Sequence, residues 1–172
     1  MATFKRFYCL IPVLALAPPL CAQQATLIRF EMRDQFDRVY SDAEYRGKSL
    51  LLSLSDQKGS QFCPVWDNAL NARLGDGWRS RTSEVLVEEV TGVPRFLHGM
   101  VKGMFPQQRD KAVVLDWDGK FAKAYGFHKD ECALLVFDPA GRLLHRAGGQ
   151  QPPAEQVEQL ANAVRTSQTG GR

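Results

Sequence analysis

Histidine and cysteine are scarce in this 172-residue chain, with three of the first and four of the second. They form no zinc-type Cys/His spacing, and the chain shows no Ser-His-Asp order and no glycine-rich phosphate cradle. Charge of one sign is lacking too. The 22 Lys and Arg are balanced by 19 Asp and Glu, leaving a formal net charge of +3 with both signs interspersed. There is no basic stripe for nucleic acid and no basic amphipathic helix for a membrane surface. No apolar run reaches the roughly 20 residues that a membrane-spanning helix needs. Internal repeats, low-complexity tracts and linkers are also missing, so the chain reads as one domain around a single core.

What is present begins with an export signal over residues 1–22. Lys5 and Arg6 form its basic start and Leu10–Leu16 its apolar stretch. Pro18 and Pro19 break that stretch before Leu20-Cys21-Ala22, where cleavage is expected after Ala22. The stretch is too short and too broken by proline to cross a bilayer, so no membrane insertion is expected once the signal is removed. Cys21 raises a lipoprotein alternative, for which Leu20 is a poor neighbour. The expected location is periplasmic or secreted, an oxidising setting in which a disulfide persists. Cys9 and Cys21 fall in the signal, which leaves Cys63 and Cys132 and one possible intramolecular pairing.

The expected elements alternate. Strands are read at Ala25–Met32, Ser49–Ser55, Ser83–Val90, Lys111–Asp116, Cys132–Phe137 and Arg142–His145. Helices are read at Cys63–Leu74, Pro94–Phe105, Phe121–Tyr125 and from Pro153 onward, the last with Val157, Leu160, Ala161 and Val164 on one face. Thr166–Arg172 reads as a disordered tail. The pattern implies an α/β class with a central mixed sheet and helices on both faces. Ser60-Gln61-Phe62-Cys63-Pro64 follows directly on the second strand. It sets one thiol at a helix start, where amide N–H groups and the helix dipole stabilise the reactive thiolate.

Three stretches resemble the thioredoxin-like superfamily, on its peroxiredoxin side. Phe30–Gln35 followed by Tyr45–Lys48 and Leu50–Leu52 is similar to that family's opening. Ser60-x-x-Cys63-Pro64 resembles its active-site motif. Ala124–Phe127, Ala133–Asp138 and Gly141-Arg142 resemble its later strand and hairpin. Val113–Val164 is also similar to the YtfJ-like family of exported thioredoxin-fold proteins, which has no well-defined activity. The resemblance implies a thioredoxin-like domain over residues 23–165. Three positions depart from it: Asp56 stands where a peroxiredoxin has proline, and Trp66 where a thioredoxin has its second cysteine. Cys132 stands where peroxiredoxins place an arginine and thioredoxins a cis-proline.

In this fold the loop before the core strand lies beside the start of the first long helix, so the resemblance implies that Cys63 and Cys132 meet. Cys63 would then be the nucleophile, Cys132 its partner and Ser60 an auxiliary donor, with helix capping as the alternative role for Ser60. No dedicated cofactor is implied; electrons would come from an exported thiol/disulfide protein acting as reductant or client. The competing reading is a non-catalytic binding or assembly module in which a Cys63–Cys132 bond is a staple or is not formed. Lys58 and Arg142 are candidate substitutes for the missing arginine. His98, Met100 and Met104 raise a copper site, but Met100 and Met104 fall on a helical apolar stripe and read as core. His128, with the two cysteines, raises a second metal set, but the chain lacks the two cysteines with three residues between them that such copper sites use, so no metal site is expected; His145 has no special role. Asp116 and Asp118 read as a structural turn.

Overall fold

The computed structural model describes residues 25–170. The expected signal, with Cys9 and Cys21, lies outside these residues. The alternating pattern resolves into seven strands and four α-helices. In chain order they are β1 (Glu31–Asp34), β2 (Val39–Ser41), β3 (Ser49–Ser55), α1 (Cys63–Leu74), β4 (Thr82–Glu89), α2 (His98–Met104), β5 (Val114–Asp116), α3 (Lys120–Tyr125), β6 (Cys132–Phe137), β7 (Leu143–Gly149) and α4 (Ala154–Thr169). They form a single sheet ordered β2-β1-β5-β4-β3-β6-β7. β3, β4 and β5 run parallel, and every other neighbouring pair is antiparallel.

The sheet is buried from both sides, and the period-two alternation of a strand divides its side chains between two cores. Leu50, Leu52 and Leu54 of β3 join Val85 and Val87 of β4, Leu135 and Phe137 of β6, and Phe121 and Tyr125 of α3. Leu51 of β3 joins Cys132, Leu134 and Val136 of β6 on the other face, under Trp66 and Leu70 of α1 and Val157, Leu160, Ala161 and Val164 of α4. Helices therefore lie on both faces, as the pattern implied. At roughly 1.5–3 kcal/mol for each fully buried leucine or valine, these two layers supply the main drive for folding.

The ends of the chain differ from expectation. The strand foreseen over Ala25–Met32 is reduced to a single bridge between Thr26 and Arg142, with β1 starting at Glu31. β2 was not foreseen. The expected tail is helical through Thr169, because polar side chains dock it. Ser167 is fully buried with its hydroxyl against that of Ser49, and the Gln168 amide donates to Trp78 O and Thr82 Oγ1. No helix among the described residues is long and apolar enough to cross a membrane.

Candidate disulfide centre

β3 ends at Ser55 and β6 begins at Cys132, and the antiparallel ladder pairs these two residues directly. The start of β6 thus lies beside the loop that leads from β3 into α1. That loop turns through a short 3₁₀ segment, Gly59–Phe62, and delivers Cys63 as the first residue of α1 with Pro64 next to it. Proline is favoured there because its missing N–H would have had no partner in the helix anyway. Cys63 and Cys132, 69 positions apart, are joined by a disulfide with Cα atoms 5.2 Å apart.

Two residues hold the loops together. The Asp56 carboxylate accepts from the Gly59 N–H at 2.7 Å and from the Asp130 N–H at 3.1 Å, so one buried side chain ties the Cys63 loop to the Cys132 loop. Asp130 sits at φ 62°, a left-handed conformation that aspartate tolerates better than most residues. Gly59 presses its backbone against the other loop. A Cβ built there would stand 2.1 Å from the Glu131 carbonyl oxygen, so no larger side chain fits without displacement. The Asp56–Gly59 turn is what replaces the proline of the resembled motif.

The two sulfurs differ in access. Cys63 is half-buried, whereas Cys132 has 0% exposure and packs in the core layer of Leu51, Trp66, Leu70 and Leu134. Trp66, at the position of a thioredoxin's second cysteine, is wholly buried and donates its indole N–H to Gly149 O at 2.9 Å. Gly149 is itself the β7 partner of Cys132. Across β3 on the other side, the Ser55 hydroxyl donates to Glu88 Oε2 at 2.8 Å. Burial pushes the Glu88 carboxyl up to about 7 from its ordinary 4.5, with Asp56 and Glu89 adding to the rise and the Ser55 hydrogen bond opposing it.

Other expected residues are placed differently. The Ser60 hydroxyl is exposed and donates to Gln57 O at 3.0 Å, and the α1 cap position is held by Phe62. Lys58 is on the disulfide side but pairs with Asp130 at 3.6 Å. Arg142 lies beyond the far end of β6, paired with Asp138 at 2.7 Å, and cannot serve the sulfurs. Met100 and Met104 are 61% and 67% exposed, not core: the half-buried residues are Leu97, just before α2, and Val101, one residue around from the methionines, which is a rotation of about 100°. His98 stacks on Trp117, and His128 pairs with Glu131 at 3.6 Å. The described residues contain no group of three His, Cys, Asp or Glu that could hold a metal ion. Asp116 is structural as expected, accepting from the Lys120 and Phe121 N–H groups at 2.8 Å each.

Gly59 and Glu88 escaped the sequence reading, in which Asp56 stood only as a departure from the resembled motif. An Asp-x-x-Gly turn signal was visible in Asp56–Gly59, but its cross-loop contact was not. Glu88 showed only as a polar residue in a strand.

No protein-family model and no curated protein sequence matches the chain. Solved structures do. The exposed lipoprotein thioredoxin Etrx1 of Streptococcus pneumoniae superposes with a TM-score of 0.55 at 17% identity, over 78% of this chain and 98% of that one. BsSco, of the Sco family of cytochrome c oxidase assembly proteins and the site of a disulfide switch, gives 0.56 at 11% identity, over 86% and 95%. A thiol:disulfide interchange protein of the thioredoxin family from Chlorobium tepidum gives 0.51 at 12% identity, over 86% and 98%. The chain has a thioredoxin-like fold. At these identities the likeness fixes the architecture alone, and none of the comparisons supports the YtfJ-like similarity of the second half. Within the thioredoxin-like frame, the disulfide of this chain runs from the start of α1 to the start of the core strand β6.

Proposed function

We propose that this protein is an exported thiol–disulfide oxidoreductase in which Cys63 exchanges with partner thiols and Cys132 is its resolving partner. One observation carries the reading: a disulfide at the start of a twelve-residue helix, with one half-buried sulfur residue outside and one sealed residue behind it. A thiolate of an exported dithiol protein would attack Cys63 Sγ. The Cys63–Cys132 bond breaks, a mixed disulfide forms at Cys63, and the electron pair leaves on Cys132 Sγ. The reductant's second thiolate then attacks its own sulfur in that mixed disulfide and releases the Cys63 thiolate, which the helix start favours. The reductant ends as a disulfide and this chain as a dithiol. Export itself rests on the sequence of residues 1–22, and the known exposed lipoprotein among the structural neighbours agrees with it.

A second reading is favoured by the burial of Cys132. A thiolate leaving into an apolar layer is disfavoured, which protects the bond and suits a staple. Closing a loop of this length is worth about 4 kcal/mol in the chain-entropy model. The module would then bind or assemble without chemistry. Thiol counting after mild reduction of the native protein, followed by re-oxidation with glutathione disulfide, separates the two. Turnover requires two thiols released with the fold intact and rapid re-closure; a staple releases them only on unfolding.

A further inference from the structure

At the end of the sheet remote from the disulfide, three segments close round a cavity of about 180 Å³. Its floor includes Leu50 and Phe137, register partners in the β3/β6 pair, whereas Ser55 and Cys132 are partners at the other end of the same ladder. Five residues of strand separate the two ends, about 17 Å. The walls are tied together through the backbone. The Gly47 N–H donates to Pro139 O at 3.0 Å and the Leu27 N–H to Gly141 O at 2.7 Å, so the segments before β1, before β3 and after β6 meet there.

The polar groups round this cavity fall into two sets. The acids are already engaged within the fold. Asp42 accepts from the Phe30 N–H and pairs with Arg46, both at 3.2 Å. Asp138 accepts from the Ala140 and Arg142 N–H groups and pairs with the Arg142 guanidinium at 2.7 Å. The donors are not engaged. Arg29 and Lys48 border the cavity, and neither side chain has an ion pair or hydrogen bond to the described residues.

Tyr45 is the third donor. It lines the cavity at only 8% exposure, its ring stacks on Phe30, and its hydroxyl has no hydrogen-bond partner among the described residues. Tyr125, in the same core, shows the ordinary arrangement: its hydroxyl donates to Thr26 O at 3.0 Å and accepts from the Ile28 N–H at 2.9 Å. A buried polar group without a partner is uncommon enough to call for an explanation. Burial pushes the Tyr45 hydroxyl up to about 12, with the Glu44 carboxylate adding to the rise, so it keeps its proton and remains a donor.

We infer that this cavity is a second site, independent of the redox reading, which binds a small organic anion. The carboxylate or phosphoryl group of the ligand is held by Arg29, Lys48 and the Tyr45 hydroxyl, and its apolar body rests on Leu50 and Phe137. With Asp42 and Asp138 neutralised by Arg46 and Arg142, the two free cations leave the cavity positive. An apolar floor with a few converging polar groups is the usual make-up of a small-molecule site. The volume lies below the roughly 300 Å³ at which drug-sized sites begin, which restricts the ligand to a compact one.

Proton–nitrogen NMR titration of the disulfide-bonded protein tests this with benzoate and phenyl phosphate, and with benzamide as the uncharged control. An anion should shift the amides of Arg29, Tyr45, Lys48 and Phe137 saturably, and benzamide should bind about tenfold more weakly or worse. The tighter of the two anions names the group that the site prefers. Arg29→Gln combined with Lys48→Gln should weaken the anion about tenfold or more and flatten the fall of affinity with salt. Tyr45→Phe keeps the ring on Phe30 and should weaken binding while leaving the salt dependence in place. The inference is overturned by the absence of saturable shifts for both anions, by benzamide binding as well as benzoate, or by variants that bind like the wild type. If Tyr45→Phe misfolds, the exposed Arg29 and Lys48 pair still decides. None of these outcomes bears on whether the disulfide opens, so the two readings fail separately.

Discussion

Gly59 and Glu88 show how single side chains set the centre. The Gly59 position leaves no space for a methyl group, since the obstacle at 2.1 Å is a backbone carbonyl that cannot rotate away. Gly59→Ala is expected to destabilise the protein by about 1–3 kcal/mol and to part the two loops, measured by thermal unfolding. Glu88 has the opposite character, being present at a cost. Its carboxyl ordinarily titrates at 4.5 and in the fold at about 7, so between those values the folded protein holds more protons than the unfolded chain. Stability is highest below the ordinary value and falls as pH rises through 7, by about 3 kcal/mol for a shift of this size. Glu88→Gln should remove this slope and raise the unfolding temperature at pH 8, while still accepting from Ser55. An unchanged slope would show that Glu88 does not titrate in this window.

At the scale of elements, β3, α1 and β6 were legible to the residue because each boundary carries its own chemistry. Ser49–Ser55 is an apolar run closed by Asp56, Cys63-Pro64 opens a helix, and Cys132–Phe137 is apolar until Asp138. β2 has three half-buried residues and no alternation, so it exists only because the turn at Asp37 folds it onto β1. α2 was legible as a helix but not in its facing. Both the Phe96/Met100/Met104 line and the Leu97/Val101/Phe105 line are apolar, and the tertiary packing chooses the second. Met100→Ser and Met104→Ser are therefore expected to change stability by less than about 0.5 kcal/mol, whereas Trp66→Ala should cost about 3–5 kcal/mol. Chemical denaturation of the three variants checks the ranking; a large loss at either methionine would mean that the α2 face is covered.

For the whole molecule, the scarcity of cysteine made the sulfur pair legible, while the groups around it depend on cross-strand register that no local pattern encodes. Asp56 and Glu88 meet their partners only once β3, β4 and β6 are aligned. The sheet thereby joins residues from three separate parts of the chain at one end, and its value as a redox device depends on whether that end can open without the rest. The direct measurement is an equilibrium titration of the native protein in glutathione redox buffers, reading the Cys63–Cys132 bond by thiol alkylation and the fold by far-ultraviolet circular dichroism. Reversible opening with the fold retained, at a potential between about −270 and −120 mV, is the predicted result. A bond that stays closed below about −300 mV until the chain unfolds would contradict it.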